Sequence, residues 1–272
     1  MYIIEKSARM IRNLPVLRKL NFFWRLITPA YEYSLKLIYG DLLQRKISKT
    51  DIIYIPHYLR HFTEKYETEF WNGMMRQVRP GDTIADVGAF FGFYTFALAK
   101  RAGANGKVVA FEPDPANLKF LKKIVKRYKF SSTLEIAGLA VGDRPGRIKF
   151  NNLSASTSAV IANEKLKTKK ATEVACTTLD DFFSGEKLDI IKIDVEGYEE
   201  KVLMGAQNIL RRGQGFPRAI FIEMHPYAWK DYGTTDLAII SILKSSGYRI
   251  DNLKGEPINS IKEYGGIIAR RD

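Results

Sequence analysis

Asp82-Thr83-Ile84-Ala85-Asp86-Val87-Gly88-Ala89-Phe90-Phe91-Gly92 decides the fold. Its first half is an apolar run that ends on a carboxylate, which reads as a buried strand. Its second half holds two glycines before the amphipathic stretch Phe93–Arg101, so the chain turns from strand to helix at Gly88–Gly92. A glycine lets the backbone approach a ligand where a side chain would clash. The pattern is D-x-G-x-x-x-G. It lacks the G-x-G-x-x-G spacing that wraps a pyrophosphate, which argues against NAD or FAD. Asp86, at the end of the strand, could hold the amino group of an amino-acid ligand.

Working outward, Lys107–Phe111 reads as the next strand, and Glu112 follows it about twenty residues after the glycine loop. An acid in that place can bind a ribose diol. Asp114 is better placed to cap the helix that Ala116–Tyr128 predicts. Thr133–Leu139, Leu188–Ile193 and Arg218–Ile222 read as further strands, with helices at Tyr198–Leu210 and Leu237–Ser245. Tyr248–Leu253 and Gly266–Arg270 read as edge or antiparallel strands. Strands alternating with helices predict an α/β fold with a mostly parallel, doubly wound sheet. The Ser- and Lys-rich stretch from Arg144 to Thr177 interrupts that rhythm and reads as a hairpin or mobile flap near the site.

Lys192 and Asp194 share one face of a strand by period-two alternation. A lysine inside so apolar a strand needs a partner or a task. Asp194 could act as a base, orient an acceptor hydroxyl, or bind a divalent cation with Glu196 or Glu223. Glu223 and His225 end the following strand and belong beside Asp194 if the strands are neighbours. Histidine suits proton removal from a hydroxyl near neutral pH.

Several of these blocks resemble the FkbM family of methyltransferases: Gly81–Ala89 with Gly92 and Tyr94-Thr95, Phe111-Glu112-Pro113, Leu179-Asp180, Lys192–Glu199, Val202–Ala206 and Glu223–Pro226. The likeness runs from about residue 60 to the C-terminus. It implies a Rossmann-like class I methyltransferase fold with a seven-stranded sheet, S-adenosylmethionine as cofactor, and O-methylation of an acceptor hydroxyl. It places Asp86, Gly88 and Gly92 at the methionine end, Glu112 at the ribose, Ala140 to Asp143 near the adenine, and Glu67 near the cofactor. Asp194, His225, Lys192 and Glu223 become the catalytic candidates, with Asp194 also touching cofactor. The family's asparagines in the helix after Glu-Pro are here Lys122, Lys123 and Lys126.

Of 272 residues, 46% are hydrophobic, and the formal net charge is +13. That charge favours an anionic partner such as nucleic acid, an acidic substrate or a membrane surface. The lone Cys176 excludes an internal disulfide framework and a multi-thiolate zinc site, and reads as a small core residue. Residues 1–50 form a separate basic segment with ten Lys/Arg against three Asp/Glu. Apolar spacing predicts short helices there, broken by Pro15 and Pro29. They form either a cap on the domain at 51–272 or a basic amphipathic element lying on an anionic membrane. The segment lacks a signal-peptide core, and no stretch is apolar enough to span a bilayer, so the expected place is the cytoplasm or the inner membrane face. A small-molecule, sugar or lipid-linked acceptor is the first reading. An RNA or tRNA methyltransferase and a non-catalytic nucleoside-binding scaffold are the alternatives.

Overall fold

A computed structural model describes residues 21–39, 42–48, 51–56, 59, 67–128, 134–152, 158–160 and 171–271. The chain divides into two units, residues 1–44 with 55–61, and residues 45–54 with 62–272. In the first lies helix α1 (Asn21–Tyr39), which runs through Pro29 rather than breaking there. Proline removes only one N–H donor from a helix, and the Thr28 hydroxyl adds a bond to the Trp24 carbonyl at 2.6 Å. The stretch expected to be wholly helical also contains strand β1 (Leu42–Lys46). The Gly40-Asp41 pair before it is a helix-stop and turn signal. Pro15 lies outside the described residues, as do His57 and His61. Strand β2 is Ile52–Pro56.

The second unit holds α2 (Thr68–Gln77), β3 (Thr83–Val87), α3 (Thr95–Ala102), β4 (Lys107–Phe111), α4 (Pro115–Tyr128) and β5 (Leu134–Ala137). A smaller sheet follows, built from β6 (Ala140–Val141), β7 (Gly146–Asn152), β8 (Ser158–Val160) and β9 (Ala171–Thr177). The chain then runs through α5 (Leu179–Phe182), β10 (Ile190–Ile193), α6 (Glu199–Met204), α7 (Gln207–Arg211) and β11 (Ala219–Met224). It closes with α8 (Pro226–Tyr232), α9 (Asp236–Ser245), β12 (Arg249–Asn252) and β13 (Gly265–Arg270).

Seven strands form the main sheet in the order β12-β13-β11-β10-β3-β4-β5. β3, β4, β5, β10 and β11 pair in parallel, while β13 runs antiparallel to both β11 and β12. This is an α/β, Rossmann-like architecture with a mostly parallel seven-stranded sheet, as expected from the sequence. The central strands are buried on both faces, as the mostly apolar runs of β10 and β11, interrupted by Lys192 and Glu223, require. Chain order leaves β3 toward β4 on one side and returns with β10 on the other. The crevice outside the carboxyl ends of β3 and β10 is therefore the switch point where such sheets bind ligands.

The described residues of 144–177 form the hairpin of the two alternatives, within a small sheet. β7 pairs antiparallel with β9 over six residues and with β8 over three, and β6 runs parallel to β9. Cys176 is buried in the core of this small sheet. Lys165, Lys167, Lys169 and Lys170 lie outside the described residues. The helix read at Tyr198–Leu210 is two short helices. A Cβ on Gly205 would meet the Gly142 carbonyl oxygen at 1.9 Å, so the chain closes there against β6. Asp180 then starts α7 by accepting the Asn208 and Ile209 amides at 3.0 and 2.8 Å. Capping thus accounts for the acid in Leu179-Asp180.

A candidate methyltransferase site

A cavity of about 390 Å³ opens at the carboxyl edge of the sheet, a volume in the range of small-molecule sites. Gly88–Phe91 line it from the β3 turn, and Phe111–Pro113 from the end of β4. Leu139, Ala140, Val141 and Phe150 supply an apolar side. Lys192 and Asp194–Glu196 come from the end of β10, Glu223, His225 and Tyr227 from β11, Tyr264 from the turn into β13, and Glu67 from the start of α2.

Gly88 has φ +79°, and a Cβ there would lie 1.8 Å from the Asp194 carbonyl oxygen. Two strand ends cross so closely that only hydrogen fits. A Gly88→Ala variant is expected to lose more than about 3 kcal/mol of stability, read by chemical denaturation, because strain and a backbone clash add. Gly92 does not line the cavity. Its φ of +88° and the rings of Phe96 and Leu121's methyl at 2.3–2.9 Å explain it as a packing glycine.

Lys192 is 2% exposed and bridges two acids, Asp86 at 3.4 Å and Asp194 at 3.3 Å. Its ammonium also donates to the Gly88 carbonyl at 3.1 Å and lies 5.1 Å from the centre of the Tyr94 ring. Burial favours the neutral amine, but the carboxylates of Asp194, Asp86, Glu223 and Glu67 outweigh it and hold the proton more tightly than on a free lysine. Asp86 does not reach the cavity. It is fully buried, accepts the Thr95 hydroxyl at 2.6 Å and pairs with Lys192. Asp143 also lies off the cavity lining and pairs with Lys201 at 3.6 Å.

Glu112 is buried and accepts the Phe90 amide at 2.7 Å, the Asp114 amide at 2.8 Å and the Asn117 side-chain amide at 3.4 Å. Burial raises its pKa, and those three bonds pull it back only to about 8. Asp114 caps α4 as the sequence predicts, accepting the Ala116 and Asn117 amides at 2.7 and 3.1 Å.

His225 is 2% exposed, and its Nδ1 is bonded to Glu199 at 2.7 Å. Glu199 is itself fixed by Trp229 Nε1 at 2.9 Å and the Gly197 amide at 2.9 Å. The imidazole is thereby oriented, with Nε2 facing Asp194 at 3.8 Å, Glu196 at 3.8 Å and Glu223 at 4.0 Å. Burial lowers the histidine pKa, but the Glu199 bond and the charges of Asp194, Glu199 and Glu196 carry it up to about 9. Burial and the neighbouring Asp194 and Glu67 push Glu223 up to about 8, against a hydrogen bond from the Tyr264 hydroxyl. Asp194, Glu223 and His225 bring ligand atoms within 4.8 Å of one another. That donor set suits a divalent cation, though the cluster alone assigns none. Sequence reasoning missed Tyr264, which carries no motif, and Glu199, a member of the quoted acidic block without a role.

Titration of these groups sets a testable pH dependence. Glu112, Glu223 and His225 hold protons more tightly folded than unfolded, so folding takes protons up. Their stabilising contributions are complete below the free values of 4.5 and 6.5 and are lost as pH rises through about 8 and 9. Asp51 works the other way, held down to about 2 against burial by bonds from Arg101, Ser48 and Trp71, so its contribution fades below pH 3.8. Melting across about pH 5 to 9 is expected to show falling stability, with Glu112→Gln flattening the slope by on the order of 3 kcal/mol. A flat wild-type profile contradicts this assignment.

The sequence matches the methyltransferase FkbM domain over residues 86–250. No curated protein matches. Among solved structures, an FkbM methyltransferase from Methylobacillus flagellatus shares 18% identity and a TM-score of 0.47, with 79% of this chain and 53% of that one covered. The present chain thus spans about half the length of that relative. An S-adenosylmethionine-dependent O-methyltransferase from Thermotoga maritima shares 13% identity, TM-score 0.42, over 76% and 65% of the two chains. Fibrillarin from Aeropyrum pernix, solved with bound S-adenosylmethionine, shares 14% identity, TM-score 0.39, over 71% and 68%. Since the domain match takes in more than half of the chain, and the sheet, glycine turn and acid-lined cavity agree with it, the protein belongs to the FkbM family of S-adenosylmethionine-dependent methyltransferases.

Proposed function

We propose that the protein transfers a methyl group from S-adenosylmethionine to a hydroxyl of a small sugar-like or lipid-linked acceptor. The observation that carries this reading is the imidazole of His225, oriented by Glu199 through Nδ1 and facing the cavity acids through Nε2. Five acids (Glu67, Glu112, Asp194, Glu196, Glu223) line the cavity with Lys192 and His225, in a chain whose net charge is +13, and with Glu112 and Glu223 protonated below about pH 8 the other three still outnumber the two cations. Surplus negative charge suits a ligand bearing sulfonium and ammonium groups and repels a phosphate. When bound, S-adenosylmethionine supplies an electrophilic methyl group on sulfur. Glu112 accepts from the ribose hydroxyls, Leu139, Ala140 and Val141 cover the adenine, and Glu67 with the Lys192–Asp194 pair meets the methionine end. Asp86, Gly92 and Asp143 act from behind the cavity wall, through Lys192, Phe96 and Lys201 respectively.

At the acceptor, the reacting hydroxyl donates to Nε2 of His225, and Asp194 accepts from a neighbouring hydroxyl of the same acceptor and so holds it in place. Nε2 of His225 would take the proton as the methyl moves from sulfur to oxygen, the sulfur–carbon bond breaking to leave a neutral thioether, and Glu199 would stabilise the imidazolium. Lys192 keeps Asp194 in place, and the protonated carboxyl of Glu223 donates toward the same region. Titration calorimetry with S-adenosylmethionine, S-adenosylhomocysteine and NAD tests the cofactor half: the first two bind and NAD does not. Transfer of a ¹³C-methyl label to a panel of glycans, lipid-linked sugars and RNA tests the rest. An O-methyl carbon resonance on a sugar supports the proposal, and label on a base nitrogen of RNA overturns it.

A further inference from the structure

α1 presents its apolar residues to solvent. Phe22, Leu26, Tyr33 and Leu37 are 78%, 64%, 65% and 68% exposed, and Pro29 and Ala30 are exposed between them. At 100° per residue these six positions fall in one stripe about 100° wide. The opposite side carries Trp24, Thr28, Tyr31 and Ser34, all half-buried. Among the described residues no helix is long and apolar enough to cross a membrane, so this stripe is suited to lying in a surface rather than spanning one.

Charge identifies that surface. Residues 1–50 hold ten Lys/Arg against three Asp/Glu. A second copy of the chain would bring two such basic segments together, which repels. An anionic lipid surface offers both the hydrocarbon that six apolar side chains need and the counter-charge that the segment needs. We propose that α1 lies in the interface of an anionic lipid bilayer, its stripe of Phe22, Leu26, Pro29, Ala30, Tyr33 and Leu37 turned toward the acyl chains, and seats the protein peripherally there. Tyr33, with a polar tip on an apolar ring, suits the headgroup level.

Flotation of the full chain with vesicles tests this. Phosphatidylcholine vesicles doped with phosphatidylglycerol are compared with phosphatidylcholine alone, at low and high salt. The wild type is expected to float with the anionic vesicles, at least about tenfold more than with the neutral ones, and to lose most of that advantage in high salt. Leu26→Glu with Tyr33→Glu is expected to cut flotation by about tenfold or more, with S-adenosylhomocysteine affinity and melting temperature unchanged. Equal recovery with both vesicles, no recovery with either, or an unaffected double variant overturns the proposal. So does sedimentation showing that the double variant converts a dimer to a monomer without any vesicle binding, which gives the stripe to a second copy. Failure of these arms leaves the methyl-transfer proposal untouched, since calorimetry reads that separately.

Discussion

A His225→Ala variant is expected to lower kcat by about 10²–10⁴-fold while S-adenosylhomocysteine affinity changes by no more than a few-fold. The loss follows from position. Nδ1 is committed to Glu199 at 2.7 Å, so Nε2 alone faces the cavity and is the one nitrogen able to take a proton there. A purely structural histidine would behave otherwise: its removal would lower melting temperature and cofactor affinity together. The pH profile separates the cases further. With the free-enzyme imidazole near 9, kcat/KM is expected to climb through neutral pH toward that value. Glu199→Gln, which keeps a hydrogen-bonding side chain but removes the charge, is expected to move the climb to lower pH. Unchanged turnover in His225→Ala refutes the assignment of the base.

Lys192→Met is expected to destabilise the protein by about 3–5 kcal/mol, the usual cost of removing one partner from a buried ion pair. The side chain is almost entirely enclosed, and two carboxylates depend on it, with Asp86 having no exposure. Urea denaturation measures the loss. Lys192→Arg is not expected to restore it, because a planar guanidinium cannot replace a point charge in contact with the Gly88 carbonyl and two acids. In Asp86→Asn the cost is expected to be smaller, since Asp194 still pairs with the ammonium. A melt of Lys192→Met indistinguishable from wild type would show the bridge to be dispensable.

Much of this was legible in the residues. Buried strands announce themselves as short runs rich in β-branched and other apolar residues, which is why Leu188–Ile193 and Lys107–Phe111 were readable and why Lys192 stood out within the first. The turn glycines were readable as positions, but not their separate reasons. Gly88 clears a carbonyl of a strand more than a hundred residues later, whereas Gly92 clears a neighbouring ring. The acid of Asp86 read as a ligand because it lies near the end of a strand, yet it pairs with Lys192, its register partner on β10, and Lys192 rather than Asp86 lines the cavity. Pro29 read as a break, because a proline's tolerance in a helix depends on compensating bonds that composition does not reveal. Tyr264 reaches the site from a turn with no pattern, brought there by the antiparallel pairing of β13 with β11.

Strand order also has a bearing on how the chain is made. β3 pairs with β4, and β4 with β5, early in the sequence, but the other neighbour of β3 is β10, and the link between the Thr83 amide and Asp189 spans 106 residues. Arg218 reaches back 136 residues to Asp82 at 3.0 Å. As the polypeptide leaves the ribosome, β3, β4 and β5 therefore emerge as a three-stranded piece whose β3 edge is open. That edge stays unpaired until residue 193 has been synthesised, and an open apolar edge invites pairing with other nascent chains. Slowing translation across the stretch between β5 and β10 would lengthen that exposure, so aggregation during expression should track the rate at which this middle segment is made.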